Sequence, residues 1–280
     1  MNKKRTFKTL FYHVFVILLG FIMIYPLLWM VMSSFKETNT IFRTVKSLIP
    51  ETFTIENYIN GWKGFGGVSF LVFFKNSMII TVLATVGSVF SSAIVGYGFA
   101  RCKFKLGKPL FICMLLSMML PYQIVMVPQY IMFQKMGWVG TFAPLIIPYF
   151  FGQGFFIFLI MQFVQGIPRE LDESAKIDGC SYYSIFVKII LPLISPACVT
   201  SAIFSFMWRW DDFLGSLLYL NKPDHYTVSY ALKLFSDPSS SSDYGAMFAM
   251  AVLSITPIVT IFILFQKYLV EGISMTGLKG

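Results

Sequence analysis

Apolar residues run in six long blocks along this chain, separated by shorter polar stretches. The blocks cover about Leu10 to Met32, Ser77 to Ala100, Pro109 to Phe133, Ala143 to Phe163, Ile189 to Trp208 and Ala246 to Gln266. Each is close to the roughly 20 residues that a helix needs to cross the hydrocarbon core of a bilayer. Six spanning helices are therefore predicted, in an all-α integral membrane protein. The first block follows Lys3, Lys4 and Arg5 as the core of a signal peptide would. Its apolar run is too long for that and no small-residue cleavage site follows, so it reads as an uncleaved anchor. Trp29, Trp138, Trp208 and Trp210 stand near the predicted outer ends of the blocks, as in the aromatic belts of membrane interfaces. Trp62 is expected to pack on a loop.

Composition agrees with this pattern. The 280 residues are 56% hydrophobic and 12% charged, with a mean hydropathy of +0.72, whereas soluble domains carry about 25% charged residues. The net charge of +9 raises the question of nucleic acid. Its densest clusters, Lys3-Lys4-Arg5 and Arg101, Lys103, Lys105 and Lys108, adjoin apolar blocks. That placement encodes orientation in a membrane rather than a phosphate-binding groove, so no nucleic-acid partner is expected. With both termini in the cytoplasm, thirteen of the 22 basic residues fall inside: the two clusters with Lys8, then Arg169, Lys176, Lys188, Lys267 and Lys279. The short 101–108 loop carries most weight, because short loops obey the positive-inside rule best. Cys102 and Cys180 then lie in cytoplasmic segments and Cys113 and Cys198 in apolar blocks, so no disulfide is expected. No Cys/His spacing points to a metal, and no cofactor is expected.

Uphill transport requires an energy source, and the sequence contains no phosphate-binding G-x-x-x-x-G-K-[ST] loop. Ion-coupled carriers commonly read their gradient with carboxylates inside the membrane. All thirteen acidic residues here fall outside the six blocks. A sodium site of carbonyls and hydroxyls stays open. Catalysis finds less support, since His13 and His225 are predicted at opposite faces with no nucleophile near either. Asp211 and Asp212 follow Trp208-Arg209-Trp210, where pairing with Arg209 and solvation account for them.

The charged stretch from Ile167 to Pro196, IPRELDESAKIDGCSYYSIFVKIILPLISP, interrupts the blocks. Pro168 suits the first turn of a short helix, and Glu170, Asp172 and Glu173 lie where the helix dipole favours negative charge. At 100° per residue, Leu171, Ser174 and Ala175 share one small, smooth face, with Asp172, Glu173 and Lys176 on another. Gly179 supplies a left-handed stop. Ser181 can cap the next helix, which Tyr182, Tyr183, Phe186 and Ile190 make bulky on one flank, and Leu191-Pro192 marks a bend into the fifth span. On these grounds alone the segment is either a docking element or an amphipathic loop lying on the membrane.

The segment resembles the Glu-Ala-Ala loop of the inner-membrane permease subunits of ATP-binding-cassette (ABC) importers, whose pattern is E-A-A, three residues, G, nine residues, then I-x-L-P. Glu173-Ser174-Ala175, Gly179, and Ile189 with Leu191 and Pro192 fall at those offsets, Ser174 replacing an alanine. Gln266 to Gly272, Gly277 to Gly280, and Trp208 to Phe213 followed by Tyr226-Thr227-Val228 are similar to the carbohydrate-uptake, maltose-permease branch. The resemblance implies a type I ABC importer transmembrane domain in the bacterial cell membrane. Its expected divisions are 1–72 (tail, first helix and outer loop), 73–268 (five core helices with coupling loop 167–188) and 269–280 (cytoplasmic tail). It implies that Glu170, Glu173, Ser174, Ala175, Asp178, Gly179, Leu191 and Pro192 serve coupling to a cytoplasmic ATPase dimer, Ala175 and Gly179 permitting close approach. It further implies a second permease, an extracytoplasmic solute-binding protein and a sugar or oligosaccharide substrate, with ATP hydrolysed by the partner rather than by this chain. An ion-coupled carrier working alone and a membrane scaffold or sensor are the alternatives.

Transporter sites favour broken helices near the bilayer midplane. Prolines and glycines interrupt the third and fourth blocks at Pro121, Pro128, Pro144, Pro148 and Gly152-Gln153-Gly154. Tyr122, Gln123 and Gln153 are the candidate sugar-path residues, because a ring face stacks on a neutral sugar and an amide meets its hydroxyls; helix packing is the competing explanation. In the second block Ser77, Thr81, Ala84, Ser88 and Ser92 form a small-residue stripe, expected to be a packing surface. The polar stretch from Asp237-Pro238-Ser239 to Asp243-Tyr244 is a candidate contact for the solute-binding protein.

Overall fold

A computed structural model describes the backbone of residues 3–236 and 242–277, with side chains for 8–236 and 242–268. Residues 237–241, which hold most of the proposed solute-receptor contact, and the C-terminal 278–280 lie outside the described residues. Every named element within the described residues is helical. The chain forms two compact units, one made of residues up to Leu71 with Ala231–Ile255, the other of Val72–Tyr230 with the residues from Thr256 onward.

The first unit begins with α1 (Lys3–Ser33). Leu10, Phe11, Ile17, Ile22 and Met23 are each more than half exposed. A helix apolar and exposed all round matches a hydrocarbon solvent. Beyond it the chain turns back on itself. Lys36 is only 2% exposed, and its Nζ donates to the carbonyls of Thr44 at 3.1 Å and Ser47 at 2.6 Å. Asn57, on α2 (Glu56–Lys63), donates from Nδ2 to the carbonyls of Ser34 at 2.9 Å and Lys36 at 2.7 Å. The bonds from Asn57 satisfy carbonyls of buried residues that would otherwise be stranded, and those from Lys36 satisfy its own buried ammonium. Thr38 Oγ1 donates at 3.1 Å to Asp243 Oδ1, which also accepts the Ala246 N–H at 2.9 Å. Asp243 is thus engaged in holding this unit together.

In the second unit, α3 (Phe70–Arg101) is a single long helix. Its stripe of Ser77, Thr81, Ala84, Ser88 and Ser92 is buried, as a packing surface should be. The stripe extends to Gly96, where an added Cβ would lie 3.1 Å from the Ile157 carbonyl oxygen. Small residues let two helix backbones approach this closely.

The remaining blocks are less regular than six straight helices. Among the described residues, four helical stretches are long and apolar enough to cross a membrane: 8–33, 70–101, 143–166 and 244–268. The third predicted block is instead two helices, α4 (Gly107–Met119) and α5 (Tyr122–Lys135), bent by 102°. Proline disfavours a helical conformation in the residue before it, and Leu120 is extended at φ −76°, ψ 121°. The fourth block comprises α6 (Ala143–Ile146), a 3₁₀ turn over Ile147–Phe151, a break at Gly152 with φ +86°, and α7 (Gly154–Gly166).

After α8 (Glu170–Ile177) and α9 (Tyr182–Ile185), a π turn over Phe186–Ile190 leads into α10 (Leu191–Leu193) and α11 (Ser195–Trp210). This run is bent by 73°. The break falls at Ile194, not at Leu191-Pro192 as the sequence predicted. In the π turn the Leu191 N–H reaches the Phe186 carbonyl, a widened turn that gives the ring of Pro192 room an α-turn would deny. Counting each bent pair as one span gives six. Past α11 come α12 (Phe213–Tyr219), a 3₁₀ turn at Pro223–His225, α13 (Val228–Phe235) and α14 (Tyr244–Gly277).

Candidate coupling site

α8 opens with Glu170, Asp172 and Glu173 in its first turn, where negative charge meets the positive end of the helix dipole. It begins at Glu170 with Arg169 as N-cap, so Pro168 precedes the helix and is not in its first turn. Gly179 ends it at φ +80°. The Cys180 N–H reaches the Ala175 carbonyl at 2.9 Å and the Gly179 N–H reaches that of Lys176 at 3.0 Å, the paired bonds of a Schellman stop. Ser181 Oγ then accepts the Ser184 N–H at 3.2 Å and caps α9. The chain thus makes a sharp elbow whose angle is fixed by hydrogen bonds on both sides of the glycine.

The rotation of α8 differs from the sequence reading. Asp172 and Ala175 face inward, while Leu171, Ser174 and Ile177 face out together with Glu173 and Lys176. The reason is a partner distant in sequence. Arg101, at the last turn of α3, brings its Nε to 3.0 Å from Asp172 Oδ2, the side chains being 5% and 9% exposed. Its Nη2 also donates to the Ile167 carbonyl at 2.7 Å. Tyr97, one turn earlier on α3, donates its hydroxyl to the Tyr182 carbonyl at 3.2 Å and packs its ring 5.0 Å from that of Phe186.

Ala175, Ile185, Phe186 and Ile190 from the elbow join Ala93, Tyr97 and Ala100 of α3 and Ile160, Met161 and Val164 of α7 in one buried cluster. The small size of Ala175 therefore serves close packing inside this chain. The sequence reading does not pair Arg101 with Asp172: it takes the first as a topology signal and places the second in a helix first turn, on the charged face.

The opposite side of the elbow is open. Ile177 is 88% and Tyr183 77% exposed, and Leu171 and Tyr182 are about half exposed. Glu170, Glu173, Ser174, Asp178 and Gly179 lie on the same exposed surface. This face of the elbow thus sets exposed apolar side chains beside carboxylates.

The three residues picked for a substrate path differ in their surroundings. Gln153, just before α7, accepts from Ser88 Oγ at 2.9 Å and donates its N–H to Ser92 Oγ at 3.2 Å, so it ties α7 to the α3 stripe. Tyr122 and Gln123 open α5 after the Pro121 break and are exposed. Beside Tyr122 lies Tyr219, whose hydroxyl donates to Gln129 Oε1 at 3.3 Å. Arg209 does not pair with Asp211 or Asp212. Its guanidinium sits 3.9 Å from the centroid of the Tyr149 ring and hydrogen-bonds the Tyr149 hydroxyl, while Asp212 caps α12 by accepting the Gly215 N–H at 2.9 Å. An arginine between two tryptophans at the end of an apolar block was the signal available for this group.

A multi-pass helical bundle with broken spans and a rigid polar elbow is the architecture of a membrane transport component. The family described as "Binding-protein-dependent transport system inner membrane component" matches residues 92–275. The chain is 37% identical over 269 residues to the probable ABC transporter permease protein YurM of Bacillus subtilis, covering 95% of this chain and 87% of that one. It is 33% identical over 264 residues to the arabinooligosaccharides transport system permease protein AraQ of Halalkalibacterium halodurans, covering 94% and 93%. Its fold matches a chain in the crystal structure of a bacterial ABC transporter involved in the import of the acidic polysaccharide alginate, with a TM-score of 0.83 at 17% identity over 96% and 98% of the two chains. The protein belongs to this family. It is a multi-pass inner-membrane permease subunit of an ABC importer, a transport component and not an enzyme.

Proposed function

We propose that the chain forms half of the path for a sugar or oligosaccharide and is driven by a cytoplasmic ATPase dimer that grips the outer face of α8. The observation that carries this reading is the two-sided character of α8. One side is fixed to α3 and α7 through Asp172 and Ala175, and the other offers Leu171, Glu173 and Ile177 to a partner, with Tyr183 of α9 exposed beside them. Glu170, Glu173, Ser174, Asp178 and Gly179 form the contact, while Ala175, Leu191 and Pro192 support the elbow and its exit into α11. A push on the exposed face is transmitted to α3 and α7 as rigid-body motion, because the buried face does not yield.

The sugar assignment is supported by a relative named for arabinooligosaccharides and by a structural neighbour that imports a polysaccharide. A second, similar permease completes the path, and an extracytoplasmic solute-binding protein delivers the solute. Both termini lie in the cytoplasm, as the basic 101–108 loop favours. Tyr122 and Gln123 line the path at the α4–α5 break, with Arg209 and Tyr149 nearby, and Gln153 shapes it by holding α7 to α3.

The test is ATP-dependent uptake by the assembled transporter carrying Glu173→Lys or Gly179→Arg. The expected result is loss of uptake while the subunits still reach the membrane. Wild-type uptake in both variants would overturn the assignment of this face.

A further inference from the structure

Outside the coupling face, the end of the bundle that carries Arg101 has a second feature, a cavity of about 350 Å³ beside the turn between α3 and α4. That volume lies within the range of about 300–1,000 Å³ usual for small-molecule sites. Its walls include Phe99, Phe104, Phe111 and Met161, and its polar groups include Lys103, Lys108 and Gln165. The rings form a continuous surface, with Phe99 centred 6.0 Å from Phe104 and 5.8 Å from Phe111. No carboxylate lines the cavity. Among the described residues the one ion pair of the 101–108 segment is made by Arg101, so Lys103 and Lys108 face the cavity as uncompensated charges.

We propose that an anionic glycerophospholipid of the surrounding bilayer seats here, its phosphate held by Lys103 and Lys108 and an acyl chain laid over Phe99, Phe104 and Phe111. Two unpaired lysines with no acid between them select a negative headgroup over a zwitterionic one. The apolar walls select an amphiphile over a free anion, which would use the lysines but leave three rings against water. The cavity opens beside an apolar helix: no residue of α4 is buried, and Leu110, Ile112 and Leu116 are each about half exposed, so an acyl chain laid over Phe111 can continue along that helix. The lysine stems can follow the bilayer edge while their ammonium groups stay at headgroup level. Because Cys102 lines the cavity and adjoins Arg101 in sequence, a bound lipid braces the turn from which α8 is held.

The test uses the complete transporter in detergent, titrated with phosphatidylglycerol, phosphatidylcholine of the same chains, or glycerol 3-phosphate, with binding read by native mass spectrometry. Phosphatidylglycerol is expected to be retained in preference to the other two. Lys103→Gln with Lys108→Gln is expected to weaken its binding about thirty-fold, or about five-fold for each basic residue. Lys105→Gln removes a neighbouring charge that does not line the cavity, and is expected to leave affinity unchanged. Intact assembly of each variant is read from the same spectra. Equal retention of phosphatidylcholine, binding of glycerol 3-phosphate as tight as that of the lipid, or an equal loss from Lys105→Gln would overturn the proposal.

Discussion

The Arg101–Asp172 pair makes the most demanding prediction. Asp172→Ala removes the one ionic partner that the described residues give a guanidinium whose side chain is 5% exposed, and leaves it the carbonyl acceptor of Ile167. Removing one member of a buried ion pair costs about 3–5 kcal/mol, chiefly because the other charge is stranded. The surviving bond to Ile167 puts the expected cost at the low end, about 3 kcal/mol, which shifts the docked-to-free balance of α8 by about a hundred-fold. α8 should then swing or fray instead of transmitting force. ATP-dependent uptake should fall steeply, and hydrolysis by the partner ATPase should continue.

The chain carries its own reporter of this motion. Cys180 is partly buried against the same cluster as Ala175. In a background with Cys102, Cys113 and Cys198 replaced, Asp172→Ala should raise the rate at which Cys180 reacts with a maleimide. Replacing both partners, Arg101→Met with Asp172→Leu, removes the stranded charge and should recover much of the lost docking, since apolar substitutes for a buried pair are often neutral. The double variant therefore separates a charge latch from a simple packing contact. Wild-type labelling and uptake in Asp172→Ala would refute the argument, as would a double variant whose loss equals the sum of the single losses.

Other consequences are simpler. Gly96→Leu should impair assembly by about 1–3 kcal/mol through overpacking at the α3–α7 crossing, whereas Gly98→Leu, with nothing within 4 Å of the added Cβ, should not; thermal melting of the purified complex compares them. Lys36→Met leaves the Thr44 and Ser47 carbonyls without their donor and should lower stability by about 1–3 kcal/mol, read as faster proteolysis between residues 40 and 50. Asp211 is exposed, yet partial desolvation beside the end of α11 still pushes its carboxyl above the ordinary value, so the folded chain holds this proton more tightly than the unfolded chain does. The charged form then opposes folding above that raised value, and the opposition fades as pH falls through it. Asp211→Asn should accordingly raise the melting temperature at about pH 8 and lose that advantage near the ordinary carboxylate value of about 4.

The contrast between α8 and the spans shows which physics a single sequence carries. The Gly179 stop, the Ser181 cap and the acidic first turn are local, set by residues within five positions of one another, and each stands where the spacing put it. The buried stripe from Ser77 to Ser92 was legible for a similar reason, since helical periodicity alone gathers it on one face. The rotation of α8 was not local. A carboxylate on a short polar helix reads as solvated until some other element supplies an arginine, and α3 contributes Arg101 from far away in the chain.

The same limit governs the broken spans. Hydropathy sees 109–133 as one continuous block because apolar content is indifferent to backbone direction, while Pro121 turns the chain by forcing Leu120 out of the helix. Proline alone does not decide the outcome, for Pro26, Pro128 and Pro257 all sit inside continuous helices. A permease gains from this ambiguity. On the proposed reading, helices bent at a proline, joined to an elbow held by its own local bonds, would let force enter at a fixed angle and be absorbed where the path opens.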